Sequence, residues 1–147
     1  HGTYAEAICD GHHLNPIAVR ALVNAKGADH TVLITDCMRA GGMPNGQYNL
    51  GDFPVVVEGG TARLMDDSHS LAGSILRLFE GVKNVYDWGV VSAEEAFRMA
   101  SENPARSCGI DDVCGFIRPG YDADFIVITK NLQLEETFLG GKSVYKA

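Results

Sequence analysis

Long apolar runs are absent from this sequence of 147 residues. No stretch approaches the roughly 18 apolar residues that a membrane-spanning helix needs. Positive charge is also scarce, since 12 Lys and Arg stand against 19 Asp and Glu, which gives a net charge of −7. An acidic chain binds nucleic acid and anionic membranes poorly. We therefore expect neither a nucleic acid nor a membrane among the partners of this protein.

Cysteine is sparse, and its spacing excludes two kinds of small scaffold. The four cysteines show no C-x2-C or C-x4-C pair, so a structural zinc site or a disulfide framework is not expected. Without a secretory signal, the pattern predicts reduced thiols in a cytoplasmic protein. The chain begins with His1 instead of Met, which we interpret as a truncated or processed end.

The first part of the chain predicts a strand, a helix and a second strand. Residues 5–9 form a short apolar run, and residues 31–36 form a β-branched run typical of a strand buried in a parallel sheet. Asn15 is the expected N-cap of the intervening helix, with Pro16 at its first position and Gly27 at its end. This order defines a βαβ unit, so the fold class is α/β.

The rest of the chain predicts short antiparallel strands and two helices. A helix over residues 74–87 follows from apolar spacing, and a second begins after the N-cap Ser92 and stops before Asn103 and Pro104. The strands are expected at residues 48–50, 54–58, 61–64, 123–128, 136–139 and 143–145. Two parallel strands do not make a stable sheet by themselves. The layout therefore indicates the end of a larger fold.

Ionisable residues follow both parallel strands. Asp10, Gly11, His12 and His13 come after the first strand, and Asp36 ends the second. The carboxyl ends of parallel strands open onto a shared cleft, where Asp36 could carry a proton and His13 could donate a hydrogen bond to a substrate oxygen. Two alternatives stay open at this point: strand-end Asp residues often only stabilise turns, and His pairs are often structural.

Two further features suggest contacts to a polar or anionic ligand. Residues 71–74, Leu-Ala-Gly-Ser, precede the predicted helix and could offer free backbone N–H groups at its N-terminus. Ser74 is equally consistent with an ordinary N-cap. Arg20 on the first helix and Arg39 in the loop after the second strand could each meet a phosphate or remain a surface charge.

The order of these motifs is more specific than any one of them. Together, the motifs occupy residues 8–13, 16, 18–20, 33–36, 71–74, 100–106, 115–117 and 120–125. Over essentially the whole chain, this series resembles the C-terminal half of the N-acetylglucosamine-6-phosphate deacetylase family, of the amidohydrolase superfamily. The Asp-Gly-x-His and Leu-x-Gly-Ser segments point to this family, whereas the later segments recur across the superfamily.

The resemblance implies a fold and a reaction. The fold would be part of a (β/α)8 TIM-type barrel, with residues 1–112 holding strands seven and eight and the following helices. Residues 113–147 would contribute strands to a small β-sandwich. The reaction would be metal-dependent hydrolysis of the acetamide of N-acetylglucosamine 6-phosphate, giving glucosamine 6-phosphate and acetate in amino-sugar catabolism.

The resemblance also implies roles for single residues. Asp36 would be the catalytic general base and then general acid. The implied substrate-binding residues are Asp10, Gly11, His12, His13, Leu71, Ala72 and Gly73. The divalent metal, zinc or iron-like, would have its ligands on strands that precede this chain, so no metal ligand is assigned here. We expect the segment alone to be inactive, and to associate as a homodimer or with the missing N-terminal half.

Two other hypotheses remain open on the sequence. The later motifs fit another amidohydrolase equally well, such as a dihydroorotase-like enzyme or an amino-acid deacetylase. A non-catalytic assembly module is the third possibility, and it predicts a stable monomer with a closed core.

Overall fold

The structure is a computed structural model that describes residues 2–147, so His1 lies outside the described residues. Within this range, eight strands and four α-helices follow one another along the chain. In order, they are β1 (Ala5–Ile8), α1 (Pro16–Lys26), β2 (Thr31–Ile34), β3 (Gly46–Leu50), β4 (Phe53–Glu58), β5 (Thr61–Leu64), α2 (Leu78–Asp87), α3 (Ala93–Ala100), α4 (Glu102–Cys108), β6 (Phe125–Ile128), β7 (Leu134–Leu139) and β8 (Lys142–Lys146). The α/β class predicted from the sequence is confirmed.

The unit β1–α1–β2 forms as predicted. β1 and β2 pair in parallel, with Ile8 opposite Ile34 at the end of the ladder. Asn15 caps α1 by accepting a hydrogen bond from the Ile17 amide at 2.8 Å, and Pro16 occupies the first turn, where its missing N–H costs nothing. A short 3-10 helix, Ala28–His30, precedes β2 and was not predicted.

The other two sheets are antiparallel and three-stranded. In one sheet β4 lies between β3 and β5, and in the other β7 lies between β6 and β8. Gly59 and Gly60 turn the chain between β4 and β5, and Gly140 and Gly141 turn it between β7 and β8, all with positive φ. Both glycine turns match the sequence prediction, because L side chains avoid this backbone region.

Two apolar cores hold these elements. The first packs α1, α2 and α3 around the parallel strands, with Cys9, Val19, Val85 and Met99 fully buried. The second lies under the sheet β3–β4–β5 and includes Val55 and Val57. Because the first core backs β1 and β2, it fixes the strand ends that carry the candidate site.

One predicted helix boundary is wrong, and one helix was not predicted. The helix predicted from residue 74 begins only at Leu78, because Leu71 and Ser74 form isolated bridges to Arg63 and Cys37, and Gly73 between them has a left-handed φ of +65°. The helix that begins after Ser92 ends at Ala100, before Asn103 and Pro104 as predicted, but these two residues lie in the first turn of a further helix, α4, which was not predicted. Proline is tolerated there because first-turn N–H groups have no intrahelical partner.

Candidate functional site

The candidate site lies where β1 and β2 end. Ile8 and Ile34 are partners in the parallel ladder, and Asp10 and Asp36 each lie two residues further along. Adjacent strands run about 4.8 Å apart. The prediction that both strands end side by side, with an acidic residue after each, is therefore confirmed.

The side chain of Asp10 organises the turn that follows β1. One carboxylate oxygen accepts hydrogen bonds from the amides of His12 and His13, each at 2.8 Å. The other lies 2.7 Å from His13 Nδ1. Burial by itself raises the pKa of Asp10, but the hydrogen bonds from the two histidines outweigh it and hold this pKa below its ordinary value of 3.8. Asp10 is therefore ionised at neutral pH.

The contact with Asp10 determines what His13 can offer a ligand. With Nδ1–H donating to the carboxylate, Nε2 accepts a hydrogen bond in the neutral ring and donates one only in the imidazolium. His13 is half-buried, with 21% of its side chain exposed, so it is held firmly but remains accessible.

His12 has a different environment from His13. It is exposed and lines a polar cleft of about 380 Å³ together with Asp10, Arg77 and Glu80. The two histidines therefore face different surroundings. Gly11, between Asp10 and His12, has φ +79°, and a Cβ atom there would lie 3.6 Å from the Trp88 ring.

Asp36 is exposed and has an unusual backbone conformation. Its φ is +46°, a left-handed value that non-glycine residues seldom adopt. Gly73 lies directly against it: a Cβ atom on Gly73 would be 3.1 Å from the Asp36 carbonyl oxygen and 3.9 Å from its Oδ2. The Asp36 carboxylate and the Leu-Ala-Gly-Ser segment, separate in sequence, are thus brought together.

Residues 71–74 form a connection between two sheets. Leu71 pairs with Arg63 of β5, and Ser74 pairs in parallel with Cys37, just after β2. The Ala72 amide donates to the Ala62 carbonyl at 2.9 Å. The predicted helix N-terminus at this segment is therefore wrong, and so is the N-cap role of Ser74, because these N–H groups are used in strand pairing.

The two candidate arginines differ in their contacts. The Arg20 guanidinium donates to the carbonyls of Trp88 and Gly89, at 2.9 and 3.0 Å, and so holds the loop after α2. This structural contact disfavours Arg20 as a phosphate ligand. Arg39 is exposed in the loop that follows Asp36, and its suggested contact to phosphate stays a prediction.

Metal ligands do not gather within the described chain. Across residues 2–147, no group of three or more His, Cys, Asp or Glu side chains is placed to hold a metal ion. The Asp10 carboxylate already makes hydrogen bonds with His12 and His13. Among the described residues, Asp36 belongs to no group of three potential metal ligands.

Three residues that support the site were not recognised in the sequence. The Asn84 side chain donates to the Cys9 carbonyl at 2.8 Å and fixes the end of β1. Trp88 packs beside Gly11, and Ser74 holds the backbone around Asp36. Asn84 and Trp88 carry no local signal, because their partners lie more than 70 positions away. Ser74 gave a signal, but it was interpreted as a helix cap.

Comparison with known proteins finds similarity along almost the whole chain. Residues 8–144 match the model of the Amidohydrolase family. The chain is 41% identical to an N-acetylglucosamine-6-phosphate deacetylase of Vibrio furnissii, over 98% of this chain and 35% of that protein. It is 37% identical to a putative N-acetylgalactosamine-6-phosphate deacetylase of Escherichia coli K12, over 95% of this chain and 81% of that protein.

Solved structures agree with these sequence relatives. The crystal structure of an N-acetylglucosamine-6-phosphate deacetylase from Thermotoga maritima superposes with a TM-score of 0.88 at 34% identity, covering 98% of this chain and 39% of that one. The corresponding Mycobacterium smegmatis enzyme, a D267A mutant in complex with N-acetyl-D-glucosamine-6-phosphate, gives a TM-score of 0.86 at 29% identity. The chain thus spans little more than a third of most of these relatives.

Proposed function

Because this chain belongs to the amidohydrolase family, we propose that it is the C-terminal part of a deacetylase that acts on N-acetylglucosamine 6-phosphate. The products would be glucosamine 6-phosphate and acetate. The main support for this proposal is that Asp36, Gly73 and Ser74 lie close together at the end of β2. The hydrogen-bonded pair Asp10–His13 lies beside them, at the end of β1. The printed names of the relatives support the choice of substrate.

The proposed architecture extends this assignment. β1 and β2 would be strands seven and eight of a (β/α)8 barrel, in a barrel portion covering residues 1–112. Residues 113–147, with the antiparallel sheet β6–β7–β8, would belong to a small β-sandwich. The parallel βαβ unit supports the barrel placement, since barrels of this class keep their chemistry at the carboxyl ends of the strands.

Asp36 is the proposed proton carrier. Amide hydrolysis adds water to the acetamide carbonyl carbon and then breaks the C–N bond. Asp36 takes a proton from the attacking water and returns it to the departing nitrogen, which gives the amine and acetic acid; the proton of the acid then passes to the amine, so the products are the ammonium form of the sugar and acetate. Its carboxylate suits this role because it is exposed at the end of a rigid strand.

The neighbouring segments are the proposed substrate contacts. His13, held by Asp10 at 2.7 Å, presents Nε2 towards a substrate oxygen. Gly11 and His12 complete that turn, and Leu71, Ala72 and Gly73 form the second contact segment beside Asp36. Of the two arginines suggested by the sequence, Arg39 is the candidate that remains for binding the phosphate.

The amidohydrolase family is typically metal-dependent. Since residues 2–147 gather no ligand set, we propose that zinc or an iron-like ion would be held by parts of the protein outside this chain. The segment alone would then be inactive. None of the roles given to Asp36 or His13 above depends on a metal ligand within this chain.

A second substrate has specific support. Two relatives from Escherichia coli that are 37% identical to this chain carry the name N-acetylgalactosamine-6-phosphate deacetylase, one of them as putative. The two sugars differ at a single hydroxyl, so one site can select either epimer. Dihydroorotase-like and amino-acid deacetylase activities, and a non-catalytic assembly role, remain alternatives that turnover measurements separate.

The surface supports association with another polypeptide. Large apolar side chains are exposed, among them Ile117 at 86%, Phe53 at 64% and Leu139 at 60%. We propose that a second copy or the remaining part of the enzyme covers such residues, and that the protein works in the cytoplasm. Among the described helices, none is long and apolar enough to cross a membrane.

The test is Asp36→Asn in the whole protein that contains this chain. Acetate release from N-acetylglucosamine 6-phosphate should fall about 10²–10⁴-fold, the usual effect of losing a positioned acid–base group. Asp52→Asn, in the exposed turn between β3 and β4, is the matched control and should keep normal turnover. Near-normal turnover by Asp36→Asn would show that this carboxylate is not the proton carrier.

A further inference from the structure

Asp36 keeps its side chain at the site through a backbone conformation that needs support. Its φ of +46° lies in the left-handed region, where single residues other than Gly are found seldom and only with local stabilisation. The direction of the Asp36 Cα–Cβ bond depends on the backbone angles φ and ψ, and the side-chain rotamer then places the carboxylate. Whatever fixes the peptide planes on either side of the Cα atom therefore fixes the bond from which the carboxylate projects.

One residue holds both of these peptide planes. The Ser74 hydroxyl donates a hydrogen bond to the carbonyl of Thr35, which belongs to the plane before Asp36. The Ser74 amide donates to the Asp36 carbonyl at 2.8 Å, in the plane after it. Two bonds from a single residue thus restrict both φ and ψ of Asp36.

Ser74 is itself firmly held. Only 2% of it is exposed, its carbonyl accepts from the Met38 amide at 2.8 Å, and its hydroxyl oxygen accepts from the Leu76 amide at 3.1 Å. The hydroxyl therefore both donates and accepts in a site closed to solvent. Because the buried Ser74 hydroxyl makes a hydrogen bond both as donor and as acceptor, its orientation is fixed.

We propose that Ser74 is the positioning residue of the deacetylation reaction, acting through the backbone of Asp36. The inference rests on the proposed function, because it takes Asp36 as the proton carrier. Ser74 acts on Asp36 through the backbone alone, and its contribution is to hold the carboxylate within reach of both the attacking water and the departing nitrogen.

Ser74→Ala tests this contribution. The variant keeps the amide bond to Asp36 but removes both bonds of the hydroxyl, the one donated to the Thr35 carbonyl and the one accepted from the Leu76 amide, so the peptide plane before Asp36 is released. In the whole protein, kcat for N-acetylglucosamine 6-phosphate should fall about 10- to 100-fold, because misplacing a catalytic group by about 1 Å has effects of this size. KM should stay within about twofold, since substrate contacts are unchanged. An unchanged kcat would overturn the proposal.

A second variant background shows whether Ser74 acts through Asp36. In Asp36→Asn protein, adding Ser74→Ala should reduce turnover no further, because the group that it aims is already lost. If Ser74→Ala lowers kcat by the same factor in both backgrounds, the positioning role is overturned. Near-normal turnover of Asp36→Asn alone overturns the proposed proton carrier as well. If Asp36→Asn loses turnover while Ser74→Ala keeps a normal kcat, only the positioning role of Ser74 is overturned.

Ser92→Ala separates positioning from stability. The exposed Ser92 caps α3, because its hydroxyl oxygen accepts a hydrogen bond from the Glu95 amide at 3.2 Å. Removing this hydroxyl should lower the free energy of unfolding but leave kcat unchanged. If Ser74→Ala does not fold, Ser74→Cys keeps a weaker donor of similar size. Its kcat should fall several-fold with KM unchanged, and a wild-type kcat in the folded Ser74→Cys protein would overturn the proposal.

Discussion

Replacing Gly73 by Ala tests how closely the chain must approach Asp36. Gly73 has φ +65°, and an added Cβ would lie 3.1 Å from the Asp36 carbonyl oxygen and 3.4 Å from Met38 Cβ. The left-handed conformation alone costs an L residue roughly 1–2 kcal/mol. The close contact adds to this, because strand pairing at Ser74 prevents Gly73 from moving away. We expect the free energy of unfolding to fall by about 2–3 kcal/mol.

Gly109→Ala is the matched control for this prediction. Gly109 has nearly the same φ, +69°, but nothing lies within 4 Å of the position its Cβ would take. Urea unfolding followed by tryptophan fluorescence should therefore show a loss of roughly 1 kcal/mol for Gly109→Ala, with turnover unchanged. Gly73→Ala should lose more stability and also turn over substrate about tenfold more slowly, because Asp36 is displaced. Equal stability losses with normal turnover in both variants would refute the reasoning.

Two further predictions concern ionisation at the end of β1. Burial, reinforced by the charge of Asp10, raises the pKa of Cys9 to about 12. Iodoacetamide at pH 8 should therefore alkylate exposed Cys37 but leave Cys9 unmodified until the protein unfolds. Equal alkylation rates of the two thiols, followed by mass spectrometry, would contradict this prediction. Asp10→Asn should lower the free energy of unfolding by about 1–3 kcal/mol at pH 7. Because the pKa of Asp10 is depressed in the folded protein, its contribution is complete above pH 3.8 and is lost below that value. The gap between wild type and variant should therefore close as the pH falls below 3.8, and a gap that stays constant would exclude this ionisation.

Local signals in the sequence identified the elements that carry the site. Asn15, Pro16 and Gly27 define the limits of α1 through capping chemistry that acts within a few residues. The capping box of Ser92 and Glu95 likewise places the start of α3. These predictions held because the interactions that decide them are local.

Long-range pairing could not be predicted in the same way. Apolar spacing from residue 75 onward fits a helix, but Ser74 pairs with Cys37 and the helix begins only at Leu78. Tertiary pairing overrides local propensity here. The buried amide of Asn103 is a second case: it donates to the carbonyls of Ala28 and Thr31, each at 2.7 Å, and nothing near it in the chain signals those partners.

We propose that the whole protein containing this chain deacetylates an acetamido sugar phosphate. The most direct measurement compares four substrates of that whole protein: acetate release from N-acetylglucosamine 6-phosphate, its galactosamine epimer and an N-acetyl amino acid, and ring opening of dihydroorotate. We expect turnover of the glucosamine compound and slower turnover of its epimer. Turnover of only the amino-acid derivative or dihydroorotate, with no acetate released from either sugar phosphate, would overturn the proposed function.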